Sequence, residues 1–322
     1  MSSYPAESRT IYLSPIDMTF ATSYSSKFKQ ITLAVLCLLL PASAWTQIRS
    51  GSIVVMSRSR QKVIIAADSR VNLGNGKYED SYCKITALSD NLIFAATGIV
   101  GDSSYLLPEN LRFGATEEAR KAFVSYSQAP EDFLDLGKVG TIASKWGAAM
   151  SEHFRKAADA SPASFQEWRK RIDLSHESAF IVGLFAGLEP DGQISVYSVN
   201  VDFVEPQKGF LPTEPYFLRS TPIPDEAPND FSLTQVFGMP EIYDEINAGK
   251  TDRAKQEIRQ RHYLEMTSFP EVFARSQVIR MVDLTIAYHP KQEFVGGKID
   301  AVELPSSGKV TWLQRKENCP AN

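Results

Sequence analysis

"GSIVVMSRSRQKVIIAADSR", residues 51–70, holds two β-branched-rich runs, 52–58 and 63–67, around the polar segment Ser59–Lys62. That pattern predicts a β-hairpin. Gly51-Ser52 stands at its mouth and Asp68-Ser69-Arg70 closes it. Ser52 therefore begins the first strand. Two roles are open to it: an ordinary hydroxyl at a strand edge, or the first residue of a mature chain once the bond before it is cut.

Working outward, "CKITAL" and "NLIFAATG" read as a second strand pair turning at Ser89-Asp90-Asn91. Residues 116–171 carry apolar positions at helical spacing, read as two helices. "AFIVGLFAG" and "QISVYSVNVDF" are strands around the turn Glu189–Gly192. Residues 203–230 hold six prolines and read as a long irregular insertion rather than a strand. Helical patterns return in "TDRAKQEIRQRHYLEM" and "FPEVFARSQVIRMVDLTIAY", and the chain closes on the strand-like "GGKIDAVEL" and "KVTWLQ" around Pro305–Gly308. Strands alternating with paired helices predict an α+β fold of stacked antiparallel sheets covered by helices, not a doubly wound parallel sheet. Gly296-Gly297, Asp90-Asn91 and the tyrosines read as turn and packing residues.

Composition narrows the function classes. With 322 residues, 43% of them hydrophobic and 22% charged, the chain suits a globular protein with a sizeable core. A formal net charge of -4, with no long basic run, gives no footprint for nucleic acid. The four histidines are scattered and the three cysteines fit no zinc spacing, so neither a metal nor a cofactor is expected.

"KFKQITLAVLCLLLPASAWTQ" reads as a secretory signal. Lys27 and Lys29 form the positive region, Ile31–Leu40 are ten uncharged and mostly apolar residues, and Pro41-Ala42-Ser43-Ala44 offers a small-residue cleavage site after Ala44. The apolar run is too short to span a bilayer core of about 30 Å. The expected division is an upstream extension and signal over 1–44, a short propeptide over 45–51, and one domain over 52–322 with its proline-rich insertion at about 203–230. The expected destination is the periplasm or the exterior, with no stable membrane span after the signal is removed. Met18 would give a signal of ordinary length, so both Met1 and Met18 stand as starts. Cleavage removes Cys37 and leaves Cys83 and Cys319, which in an oxidising compartment form a disulfide or stay as two buried thiols.

The opening stretch resembles that of mature proteasome β-type subunits, which begin after a glycine and reach an Ala-Ala-Asp-Ser-Arg segment. Without a gap, Ser52 falls on the family's N-terminal threonine, Asp68 and Arg70 on its acidic and basic pair, Lys84 of "CKI" on its lysine and Gly98 of "ATGIVGD" on its oxyanion-hole glycine. "YHPKQEFVGG" is similar to the end of the family's last helix. The resemblance implies the four-layer αββα sandwich of an N-terminal nucleophile (Ntn) hydrolase, in an exported relative of the bacterial type. The chain departs from the pattern at Ser52 itself, at Gln292 and Val295, where the family has an aspartate and a serine, and around Gly238-Met239-Pro240-Glu241, where it has another serine.

In such a site Ser52 is the nucleophile. Its freed α-amine, of ordinary pKa about 7.7–8.0, is the base. Lys84 favours the alkoxide, Asp68 compensates Lys84, Arg70 braces Asp68 or the loop after it, and Gly98 offers its N–H to the oxyanion. The amine exists only if the Gly51–Ser52 bond is cut, and Arg49 sits where signal peptidase needs a small residue, so the cut must be made by the chain itself. The substrate class is a small amide or an unfolded peptide, and the oligomeric state stays open, a homo-oligomer included. The rival reading is a non-catalytic member of the same fold acting as a binding or assembly subunit.

Overall fold

Alternating side chains in the opening hairpin serve two different cores. Ile53 and Val55 face one apolar cluster while Val54 and Met56 face another, as the period of a strand requires. A computed structural model describes residues 48–103, 107–130, 136–175, 179–204, 211–212, 216–219, 223 and 232–319. The signal segment with its cut after Ala44, and most of the proline-rich stretch, lie outside the described residues.

The strands, in chain order, are β1 (Ile48–Arg49), β2 (Ile53–Arg58), β3 (Lys62–Ala67), β4 (Val71–Gly74), β5 (Lys77–Glu79), β6 (Ile85–Ser89), β7 (Leu92–Gly98), β8 (Gly101–Asp102) and β9 (Phe113–Gly114). They continue as β10 (Ile181–Leu188), β11 (Ile194–Val201), β12 (Phe203–Val204), β13 (Leu211–Pro212), β14 (Tyr216–Arg219), β15 (Leu233–Gly238), β16 (Asp300–Pro305) and β17 (Thr311–Gln314). The helices are α1 (Ala115–Gln128), α2 (Gly137–Ala160), α3 (Pro162–Ser175), α4 (Glu241–Ala248), α5 (Asp252–Thr267) and α6 (Pro270–Tyr288).

Two five-stranded antiparallel sheets carry the fold, in the orders β15-β2-β3-β16-β17 and β14-β11-β10-β7-β6. Val54, Met56 and Ile65 of the first sheet share one apolar cluster with Ile93, Ala95 and Leu184 of the second. The other face of the second sheet packs Phe94, Phe185 and Tyr197 with Trp146 and Phe154 of α2 and Trp168 of α3. The other face of the first packs Val55 and Ile64 with Ile242 of α4 and Met281 and Val282 of α6. Mixed helices and antiparallel sheets make this an α+β fold.

The structure differs from the sequence reading in several elements, three of which bear on the architecture. The 116–171 region forms three helices rather than two, because Pro162 cannot continue α2 and instead opens α3 at the position where a missing N–H costs nothing. The proline-rich stretch is not wholly irregular: Tyr216–Arg219 lies between Pro215 and Pro222, is rich in strand formers, and pairs with β11 as an edge strand. Glu241–Ala248 is a helix that no sequence signal had marked, short enough that its stability rests on burying Ile242 and Ile246.

Candidate functional site

The hairpin brings Ser52 and Asp68 together because β2 and β3 are antiparallel neighbours whose open end they share. Asp68 is fully buried. Its Oδ1 accepts from Lys84 Nζ at 2.6 Å and Ile53 N–H at 3.0 Å, and its Oδ2 accepts from Gly296 N–H at 2.9 Å and Arg70 N–H at 3.2 Å. Four donors match the four lone-pair sites of a carboxylate, which is how a buried charge is tolerated here.

Lys84, immediately before β6, is also buried, and its ammonium reaches a second acceptor: the Gly51 carbonyl oxygen, at 3.1 Å. That carbonyl belongs to the bond preceding Ser52. Ser52 is itself fully buried, and its Oγ has no hydrogen-bond partner among the described residues. Buried hydroxyls are rarely left so. The structure therefore gathers a polarised carbonyl, an uncommitted hydroxyl and a compensated ammonium.

The remaining predicted residues have distinct placements. Arg70 turns its guanidinium away from the carboxylate of Asp68, to both oxygens of Asp80 (2.6 and 2.7 Å) and to Gln292 O (2.7 Å), with the Tyr78 ring beneath it. The hydrogen bonds it donates to Asp80 raise its pKa above the usual arginine value. It braces the loop and only its backbone touches Asp68. Gly98 ends β7 at φ +93°, packed against Phe180 and Ile181. Cys83 and Cys319 form a disulfide across a sequence separation of 236, Cα to Cα 5.6 Å, beside the buried pair Asp300–Lys316. Val295 is buried, and Gln292 contributes its carbonyl to Arg70.

Some residues of the site went unmarked in the sequence. Gly296, read there as a plain turn residue, donates to Asp68. Gly238 comes so close that an added Cβ would lie 2.2 Å from Ser52 O and 2.6 Å from Thr97 Oγ1. Only its missing side chain lets β15 run beside Ser52. The segment before Ser52 is part of the sheet structure as well: β1 pairs with β8, and Ile48 is fully buried. Nothing in a lone "IRSG" signals this. Among the described residues no three His, Cys, Asp or Glu gather as a metal site would need, and no helix is long and apolar enough to cross a membrane.

No protein-family model and no curated protein sequence matches the chain. The chain is similar to a solved structure described as the Anbu (Gly-1) mutant from Hyphomicrobium sp. strain MC1, at 16% identity and a TM-score of 0.43, covering 81% of this chain and 85% of that one. At that level the likeness decides neither fold nor activity.

Proposed function

We propose that the protein is an Ntn hydrolase that cuts its own Gly51–Ser52 bond and then uses Ser52 to hydrolyse amide or peptide bonds. One observation carries this reading: the Lys84 ammonium sits on the Gly51 carbonyl oxygen while the adjacent Ser52 Oγ is buried without a partner. A hydroxyl beside a polarised carbonyl is the arrangement that an N-to-O acyl shift needs, since the ammonium offsets charge as it develops on the oxygen. The shift turns the amide into an ester between Gly51 and Ser52 Oγ and moves the hydroxyl proton to nitrogen. Water then releases the leader and leaves Ser52 with a free amine.

In the cut enzyme that amine takes the Oγ proton and returns it to the leaving amine of a substrate. Lys84, held by Asp68, keeps the alkoxide accessible, and Gly98 is assigned to the oxyanion. The apolar clusters on either side of each sheet support the four-layer αββα arrangement. Residues 1–44 fit an exported protein whose substrates are small amides or already unfolded peptides.

The rival reading, an uncut binding or assembly subunit, is favoured by how firmly β1 is built into the fold. Intact mass decides. The folded wild type is expected to begin at Ser52 and to add one equivalent of an electrophile that bridges a hydroxyl and an α-amine. Ser52→Ala should retain Trp45–Gly51 and add none, and Ser52→Thr should still be cut. Folded wild type that keeps its leader overturns the enzyme reading in favour of the rival.

A further inference from the structure

We infer that this site, read as the hydrolase proposed above, is selective for glycyl acyl groups: it cleaves after a glycine that ends an extended peptide strand, and Phe294 enforces the choice. The leader is the acyl half of the first bond the site would cut, so whatever holds the leader describes the acyl-binding surface.

Four successive carbonyls of the leader are each held. Ile48 O accepts from Arg171 Nη1 at 2.8 Å, Arg49 O from Val100 N–H at 2.9 Å, Ser50 O from Asn72 N–H at 2.8 Å and Gly51 O from Lys84 Nζ at 3.1 Å. Ser50 N–H also donates to Asn72 O at 3.2 Å. On the leader's side these contacts use only the main chain, so any extended peptide can make them. Side chains then discriminate. Ile48 is enclosed in the apolar cluster with Val71 and the aromatics of α2 and α3, a place for a branched aliphatic group and hostile to a charge.

At Gly51 there is no room at all. A Cβ there would lie 2.8 Å from Phe294 Cβ, 2.8 Å from its Cδ1 and 2.8 Å from its carbonyl oxygen. Phe294 cannot swing clear, because it is only 3% exposed and one of the three clashing atoms is backbone. Gly51 also sits at φ +88°, where residues with a Cβ are strained. Arg171, buried on α3 and bonded to Ile48 O, Asn72 O and Leu73 O, is the positioning residue for the far end of the strand.

In each turnover an ester forms between Ser52 Oγ and the glycyl carbon, and the amide C–N bond breaks. The departing amine takes the hydroxyl proton through the Ser52 α-amine. Water then splits the ester, releasing a peptide acid that ends in glycine.

The test uses the full chain after self-processing, with the freed leader removed by gel filtration and the new terminus checked by mass. It is assayed on acetyl-Ile-Arg-Ser-Gly-aminomethylcoumarin, on the same peptide with Ala or Leu in place of Gly, and on one with Asp in place of Ile. Glycine should exceed alanine by about tenfold or more in kcat/KM, and leucine by more still. Asp at the first position should act mainly through KM, and Phe294→Gly, which removes the Cβ and Cδ1 contacts but keeps the carbonyl oxygen, should narrow the glycine–alanine gap without closing it. Arg171→Lys should raise KM for the tetrapeptide but not for acetyl-Gly-aminomethylcoumarin. A cut chain that hydrolyses alanine or leucine peptides as well as glycine, or none of the set, overturns this assignment while self-processing still stands. A chain that stays uncut overturns the hydrolase reading and this assignment together.

Discussion

At the scale of the residue, the site is a question of how one buried lysine is compensated. The Lys84–Asp68 pair has no solvent exposure on either side chain, so each charge depends on the other and on the three backbone N–H groups at Asp68. A sequence argument treats Lys84→Ala as a change in chemistry alone. Its burial makes it a change in stability too, because Asp68 would be left as a buried charge without its cation. Lys84→Ala is expected to lose self-cleavage and also about 3–5 kcal/mol of stability, read by denaturant midpoint alongside intact mass. Wild-type stability in that variant would mean that the pair is solvated in solution. The roles of Ser52, Asp68 and Lys84 were implied by the resemblance of the opening stretch to proteasome β-type subunits, whereas Gly238 and Gly296 act through a missing side chain and a backbone N–H, which that resemblance did not mark.

At the scale of the element, α6 is fixed to the first sheet by a charged contact as well as by its apolar face. Arg275 of α6 donates twice to Glu303 of β16, at 2.7 and 2.8 Å, with Lys62 Nζ 3.8 Å away. The Arg275 hydrogen bond is the main reason that the Glu303 carboxyl titrates below the usual glutamate range. A depressed carboxylate stabilises the fold fully above its unfolded pKa, about 4.3, and the contribution is lost as pH falls through the lower folded value. Glu303→Gln should therefore lower the thermal midpoint at pH 7 and differ little from wild type near pH 3. Because Arg275 is partly exposed, the effect at pH 7 should stay near 1 kcal/mol. An equal gap at both pH values would assign the loss to packing instead. At this scale α5 and α6 were legible: Thr251 caps α5 by accepting from Ala254 N–H, and Pro270 opens α6. The three-way split of 115–175 was marked in the sequence only by Pro162, a signal that apolar spacing alone does not register.

At the scale of the whole molecule, the C-terminal segment is tied down beside the residue that precedes Lys84. The Cys83–Cys319 disulfide ties the residue before Lys84 to the C-terminal segment. Alongside it, buried Lys316 bonds both Asp300, at 2.7 Å, and Tyr82 O, at 2.6 Å. Closing so long a loop restricts the unfolded chain strongly. Replacing both cysteines by serine should cost about 2–5 kcal/mol under oxidising conditions, measured by chemical denaturation. If the double variant matches wild type without reductant, the two thiols are not bonded in solution.

What the sequence by itself determined is local. The hairpin from Gly51 to Arg70, the strand pairs ending at Gly98 and Val201, and the last two helices follow from β-branched runs, turn residues and helical spacing, which act between near neighbours. The α+β class follows from the order of those segments. Only the tertiary structure decided that β15 lies beside β2, that β16 separates β3 from β17, and that β10 lies against β7. The central strands β2, β3, β7 and β10 are buried on both faces because each sheet is covered twice, so their patterns carry no mark of which strand each should pair with. The same long-range pairing set Gly296 against Asp68, Gly238 against Ser52 and Phe294 against Gly51. Close approach between segments so distant along the chain is a property of packing, and no local pattern encodes it.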